Sequence, residues 1–132
     1  MKIIARLLIA LTICISISSC GAPKYRAKYW KGGYSEIKIA EDGYSVRFQG
    51  NGYTSKEKAV DYCLLRCAEL TNNSGYSYFI IFKNSEDNLM MHKSAWASVH
   101  NTIKLFHEKP NQNDVYEAKY IISSIKGKYH LK

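Results

Sequence analysis

The stretch Glu36-Ile37-Lys38-Ile39-Ala40-Glu41-Asp42-Gly43-Tyr44-Ser45-Val46-Arg47-Phe48-Gln49 decides the fold. Polar and apolar residues alternate from Glu36 to Ile39 and again from Tyr44 to Gln49. A period of two marks a half-buried strand, because successive side chains point to opposite faces. Asp42-Gly43 between the runs supplies a turn, since Gly tolerates positive φ. The stretch therefore reads as a β-hairpin. Ile37, Ile39, Tyr44, Val46 and Phe48 form its apolar face, and Lys38, Ser45, Arg47 and Gln49 form the other.

Downstream, Gly50-Asn51-Gly52-Tyr53 is a loop, and Thr54-Ser55-Lys56-Glu57 fits a capping box with Thr54 as N-cap and Glu57 reaching back. A helix over residues 55–71 follows. Its buried stripe is Ala59 or Val60, Cys63, Leu64, Cys67 and Leu70, and Asn72-Asn73-Ser74-Gly75 ends it. Residues 76–82 are a nearly continuous apolar run, the pattern of a central strand buried on both faces. Residues 84–97 are polar around Leu89, Met90, Met91 and His92 and read as a long loop with room for an edge strand. Alternation around Val99, Ile103 and Leu105 predicts a strand over 98–107. Asp114-Val115-Tyr116-Glu117 fits a second capping box. Its helix carries Val115, Ala118, Ile121, Ile122 and Ile125, with Gly127 as C′. The order β-β-α-β-β-α predicts a two-layer α+β domain, a mainly antiparallel sheet with helices packed on one face.

Upstream, Lys2 and Arg6 flank an apolar run from Leu7 to Ile17, which has the length of a signal-peptide core and falls short of a bilayer span. Ile17-Ser18-Ser19-Cys20 then resembles the lipobox of bacterial lipoproteins. In that class the peptide before the Cys is removed, the thiol takes a lipid and the new amine is acylated. Several acyl chains on one residue anchor a protein stably, where a single chain holds it only marginally. The expected organisation is a signal peptide at 1–19, lipidated Cys20 with a tether at 20–33, and one domain at 34–132. Gly21 in place of Asp points to the outer membrane, facing the periplasm. The alternatives are a plain signal peptide with a chance Cys and an uncleaved anchor helix. Residues 21–33 read as a spacer, as a basic-aromatic segment touching anionic headgroups through Tyr25, Tyr29 and Trp30, or as a segment docked on the domain.

Removing 1–19 leaves 113 of the 132 residues and lowers the formal charge from +8 to +6. Ile, Leu, Val and Phe supply only 22 of the 113, so eleven Tyr and two Trp must contribute much of the core. The chain is neither Gly/Pro-rich nor Cys-dense, which excludes collagen-like and disulfide-scaffold classes. Its basic residues are dispersed and carry no nucleic-acid motif. An excess of positive charge suits an anionic envelope polymer or lipid headgroups, and an envelope protein is the other expected class of partner.

Cys63 and Cys67 are four residues apart on the predicted helix. Their Cβ atoms would lie about 5–6 Å apart, whereas a disulfide wants about 3.5–4.5 Å. They read as buried thiols, with a disulfide, a redox role or a metal as alternatives. His92, His100, His107 and His130 are scattered without metal-ligand spacing, so no metal or cofactor is expected. No nucleophile motif is present, and no catalytic residue is assigned. Arg66 and Glu69 read as an i, i+3 ion pair worth a few tenths of a kcal/mol. The candidate ligand site is Gly50, Asn51, Gly52, Tyr53 and Thr54 with Arg47 nearby, a Gly-bearing loop before a helix N-terminus that would offer N–H groups to an anion. Tight-turn chemistry explains the same glycines. The main reading is a non-enzymatic binding or structural domain; the alternative is a ligand-binding or enzymatic lipoprotein using that loop.

Gly33-Tyr34-Ser35-Glu36, then Phe48-Gln49-Gly50-Asn51-Gly52-Tyr53-Thr54-Ser55, then Asp61-Tyr62-Cys63-Leu64-Leu65-Arg66-Cys67-Ala68-Glu69-Leu70-Thr71 together resemble the CC0125/CC1285-like family of small proteobacterial lipoproteins. The resemblance extends over residues 33–82 and, loosely, 98–125, and leaves out 84–97. The sequence departs at Cys63 and Cys67, where the family has small or apolar residues. The resemblance implies an envelope lipoprotein and carries over no catalytic residue.

Overall fold

A computed structural model describes residues 24–30, 32–91 and 94–132, with only the backbone at 84–91, 94 and 95. The expected signal peptide, Cys20 and His92 lie outside the described residues. Strands β1 (Gly33–Ala40) and β2 (Gly43–Gln49) form the hairpin. Helix α1 (Lys56–Asn73) follows, then β3 (Tyr78–Met91), β4 (Ser94–Phe106), β5 (Val115–Glu117) and helix α2 (Ala118–Tyr129). The five strands are antiparallel in the order β1-β2-β4-β3-β5. The helices pack on one face, α2 against α1, which makes this the two-layer α+β domain expected.

The hairpin differs from expectation in its parity. Alternation fixes faces within a strand, but the pairing register fixes which faces of two strands coincide. The turn pairs Ile37 with Ser45 and Glu36 with Val46. Ile37 and Ile39 therefore point away from Val46 and Phe48, and are 69% and 53% exposed. The inward positions of β1 are Tyr34 and Glu36, which meet Arg66 of α1.

Val46, Phe48, Phe79, Val99, Ile103 and Leu105 of the sheet close on Ala59, Tyr62, Cys63, Cys67, Ala68 and Leu70 of α1. Burying a side chain of the size of Phe or Leu stabilises the fold by about 1.5–3 kcal/mol. In α1, Tyr62 and Leu65 join the buried stripe, while Leu64 is only half-buried. The run at 76–82 is not buried on both faces. The helices cover one side of the sheet only, the register shifts between Ile81 and Lys83, and Phe82 is 60% exposed. Residues 84–91 and 94–97 are ladder rather than loop: β3 and β4 stay paired out to Met91 and Ser94. Backbone pairing needs no apolar alternation, so the polar sequence hid it.

Both helix starts shift. Ser55, not Thr54, is the N-cap of α1, its Oγ accepting the Lys58 N–H at 3.1 Å. Glu57 instead meets Lys128 Nζ of α2 at 2.6 Å. Val115 to Glu117 pair with β3 at Tyr78 to Ile80, so the edge of β3 takes the residues assigned to the first turn of the second helix. That helix begins at Ala118 and runs through Gly127 to Tyr129, with His130 in the left-handed region as its C-cap.

Candidate functional site

The 50–54 loop is closed upon itself. Asn51 Oδ1 accepts the Tyr53 N–H at 2.9 Å and the Thr54 hydroxyl at 3.2 Å. The Asn51 N–H donates to Thr54 Oγ1 and the Thr54 N–H to Asn51 O, both at 3.0 Å. The Gly50 N–H is taken by Ala97 O at 2.8 Å. Four amides of the loop are thus spent on holding its shape. Gly50 is needed for space: a Cβ there would sit 2.5 Å from Thr54 Cβ. Gly52 and Tyr53 are exposed at the tip.

Arg47 is not part of that arrangement. It alternates with the buried Val46 and Phe48, so it projects from the sheet face opposite the helices, whereas the loop climbs to the helix layer. On this open face Arg47 pairs with Ser35 on one side and His100 on the other. Its Nε donates to Ser98 Oγ at 3.2 Å. Ser45 Oγ lies 2.6 Å from His100 Nε2. Ser35, Glu36, Ile37, Ser45, Arg47 and His100 line an open depression of about 280 Å³. The chemistry available is cationic and hydroxyl-rich. A guanidinium with donors to spare, an imidazole and two serine hydroxyls suit a carboxylate or phosphate oxygen. Ser45 and His100 are at the distance of a nucleophile and its base, but such a pair also needs a group that orients the ring. None bonds His100 Nδ1 among the side chains described. The sequence weighs His100 only as a metal ligand and Ser45 only as part of the polar hairpin face, and does not point to Ser35. Ser45 and Arg47 share a face of β2, which was legible, but the register that sets His100 beside them was not.

Cys63 and Cys67 are fully buried and unbridged. Cys63 Sγ donates to Val46 O and Val99 O at 3.6 and 3.7 Å. Burial, reinforced by Cys63, pushes the Cys67 thiol well above its ordinary pKa and so away from the reactive thiolate. Asn101, also buried, extends Nδ2 to Cys67 Sγ at 4.0 Å, and its Oδ1 has no partner among the described residues. Among the described residues no three His, Cys, Asp or Glu side chains are grouped to hold a metal ion, and no helix is long and apolar enough to cross a membrane.

The segment expected first as a spacer is docked on the domain from Tyr25 onward. Tyr25 packs its ring 4.9 Å from Tyr34 and 5.3 Å from Tyr62 and donates its hydroxyl to Glu69 Oε2. Tyr129 donates to Asp61 Oδ2 at 2.7 Å. These tyrosines predict alkaline sensitivity. Burial, then Glu69, pushes Tyr25 far above the usual range; burial raises Tyr62; burial and Asp61 push Tyr129 up to about 12, against the opposing charge of Lys128. A tyrosine in the unfolded chain ionises near pH 10. The folded state therefore holds protons that the unfolded state loses. That stability is fully present below about pH 10 and disappears as pH rises through the folded value. Melting midpoints measured from about pH 9 to 12 should fall steadily above 10. The slope should be shallower in Tyr129→Phe; a flat profile contradicts the assignment.

The chain matches no protein-family model, no curated protein and no solved structure.

Proposed function

We propose that this is a lipid-anchored protein of the bacterial envelope, outer-membrane and periplasm-facing, whose α+β domain binds a partner through the open face of its sheet. The lipobox-like Ile17-Ser18-Ser19-Cys20 supports the anchor. The observation that carries the binding role is the uncovered depression where Arg47, His100 and Ser45 converge beside Ile37, a large apolar side chain left 69% exposed. A cationic, hydroxyl-bearing hollow with an apolar rim suits an acidic group of an envelope protein or anionic polymer, and the mature charge of +6 draws the same class of partner.

The test has two arms in intact cells. Cys20→Ala should move the protein out of the membrane fraction. A photo-crosslinking residue at Ile37 should give adducts that weaken when Arg47→Ala is added, while one at Tyr120, equally exposed at 67% but on α2, should give none. Equal adducts at both positions contradict the binding face, and a Cys20→Ala protein still wholly in membranes contradicts the anchor.

A further inference from the structure

The point at which the chain first meets the folded domain limits where that domain can sit. The Tyr34 N–H donates to Arg26 O at 2.9 Å and the Lys28 N–H to Tyr34 O at 2.7 Å. Tyr29 and Gly32 exchange two backbone hydrogen bonds at 3.1 and 3.0 Å. With Tyr25 set among Tyr34 and Tyr62, the first contact with the domain among the described residues comes five residues after Cys20. Five residues reach at most about 18 Å even when fully extended. A lipid on Cys20 therefore leaves only a short spacer, which keeps the surface around Tyr25 near the bilayer.

What surrounds it has the composition of an interfacial surface. Lys24, Arg26 and Lys28 are exposed, and the Arg26 guanidinium lies 4.0 Å over the Tyr29 ring. Trp30, at the tip of the turn, is 81% exposed. Gly32 brings this turn against the 50–54 loop, so closely that a Cβ on it would lie 2.4 Å from Gln49 O and 3.3 Å from Gly50 O. Tyr53, 68% exposed, sits on that loop. Two of the large apolar side chains that the fold leaves in water thus share the end from which the anchor departs.

Resting on the lipid-anchored reading above, we propose that this end of the domain lies on an anionic bilayer surface. Trp30 and Tyr53 sit at headgroup level, and Lys24, Arg26 and Lys28 meet the anionic headgroups. Trp and Tyr favour that depth because one end of each ring system is apolar and the other hydrogen-bonds. Basic side chains close to the surface add attraction to anionic lipid. The domain is then held at a fixed tilt rather than swinging on a tether.

The experiment uses the full chain as cells process it, reconstituted into vesicles of phosphatidylglycerol and phosphatidylcholine. Trp96→Phe leaves Trp30 as the sole tryptophan, and the unaltered chain is measured in parallel so that a folding fault is not mistaken for a result. Intact mass reports whether Cys20 carries lipid. The expected result is a lipidated protein whose Trp30 emission shifts to the blue and drops about twofold with headgroup-proximal brominated lipid. Replacing Lys24, Arg26 or Lys28 by Gln should reduce that quenching, and so should vesicles of phosphatidylcholine alone. A lipidated protein with Trp30 unquenched overturns this inference and leaves the anchor intact. A protein without lipid overturns both.

Discussion

Arg66→Met should lower the unfolding free energy of the domain by about 2–3 kcal/mol, below the usual loss for a fully buried pair because the site is partly wet. In a domain of this size that is a drop of about 10–20 °C in melting midpoint. Arg66 Nη2 and Nε hold Glu36 Oε1 and Oε2 of β1 at 2.6 and 3.2 Å, a two-pronged grip. Nη1 reaches Glu69 Oε2 at 3.3 Å, the same oxygen that accepts the Tyr25 hydroxyl. The guanidinium also covers the Tyr34 ring at 4.3 Å. Burial opposes the charge on Arg66, yet Glu36 more than compensates and holds its pKa above the ordinary value. The side chains of Arg66 and Glu36 are only 17% and 26% exposed, so removing the cation strands two carboxylates with little water to take its place. Lys126, 3.8 Å from Glu69 Oε1, can relieve one of them but not Glu36. Glu36→Gln should cost less, because Arg66 keeps Glu69. The double variant should cost less than the two singles added together. Urea unfolding of the four proteins measures this. A loss under about 0.5 kcal/mol for Arg66→Met, the level of an ordinary exposed pair, contradicts the clamp.

From the sequence, this clamp was visible only as its i, i+3 pair, Arg66 with Glu69. Its stronger half, Arg66 with Glu36, depends on the parity of the hairpin. The alternation of β1 assigned its faces by hydrophobicity, and Ile37 and Ile39 were sent inward. The register of the turn sends Glu36 inward instead. Local patterns located strands and helices well where apolar residues repeat, as from Ala59 to Leu70. They failed where backbone pairing alone decides, as in the ladder from Asn84 to Met91 and in Val115 to Glu117. The candidate site was half legible for the same reason. Arg47 was singled out by its charge beside a glycine loop, but the strand carries it to the opposite face, where its partners come from β1 and β4. No short-range pattern encodes Ser45 beside His100, because they are 55 positions apart in the chain.

Gly33→Ala should be severely damaging, at about 3 kcal/mol or more once strain and clash are both counted. Gly33 has φ +128°, a region that side-chain-bearing residues essentially avoid. A Cβ there would lie 2.5 Å from Arg26 O and 2.9 Å from Ala27 O. Both obstacles are backbone, so no rotamer change relieves them. The contrast is Gly127→Ala, where a Cβ meets nothing within 4 Å and the residue is helical. That change should stabilise by about 0.5–1 kcal/mol, since Ala loses less backbone freedom in a helix. The two alanines separate a position chosen for geometry from one merely tolerated. Gly33→Ala should also have a local signature. The cheapest escape from the clash is to release residues 24–32, which lifts Tyr25 off Tyr62 and Glu69. Trypsin should then cut after Arg26 and Lys28 under conditions where the unaltered domain resists. Resistance equal to that of the unaltered protein would mean the segment stays docked and the clash is absorbed elsewhere. Released, the segment becomes the free spacer that its composition allows. Gly32 and Gly33 thus decide between a free segment and a docked one, because their positive φ lets the chain fold back on the strand it is about to enter.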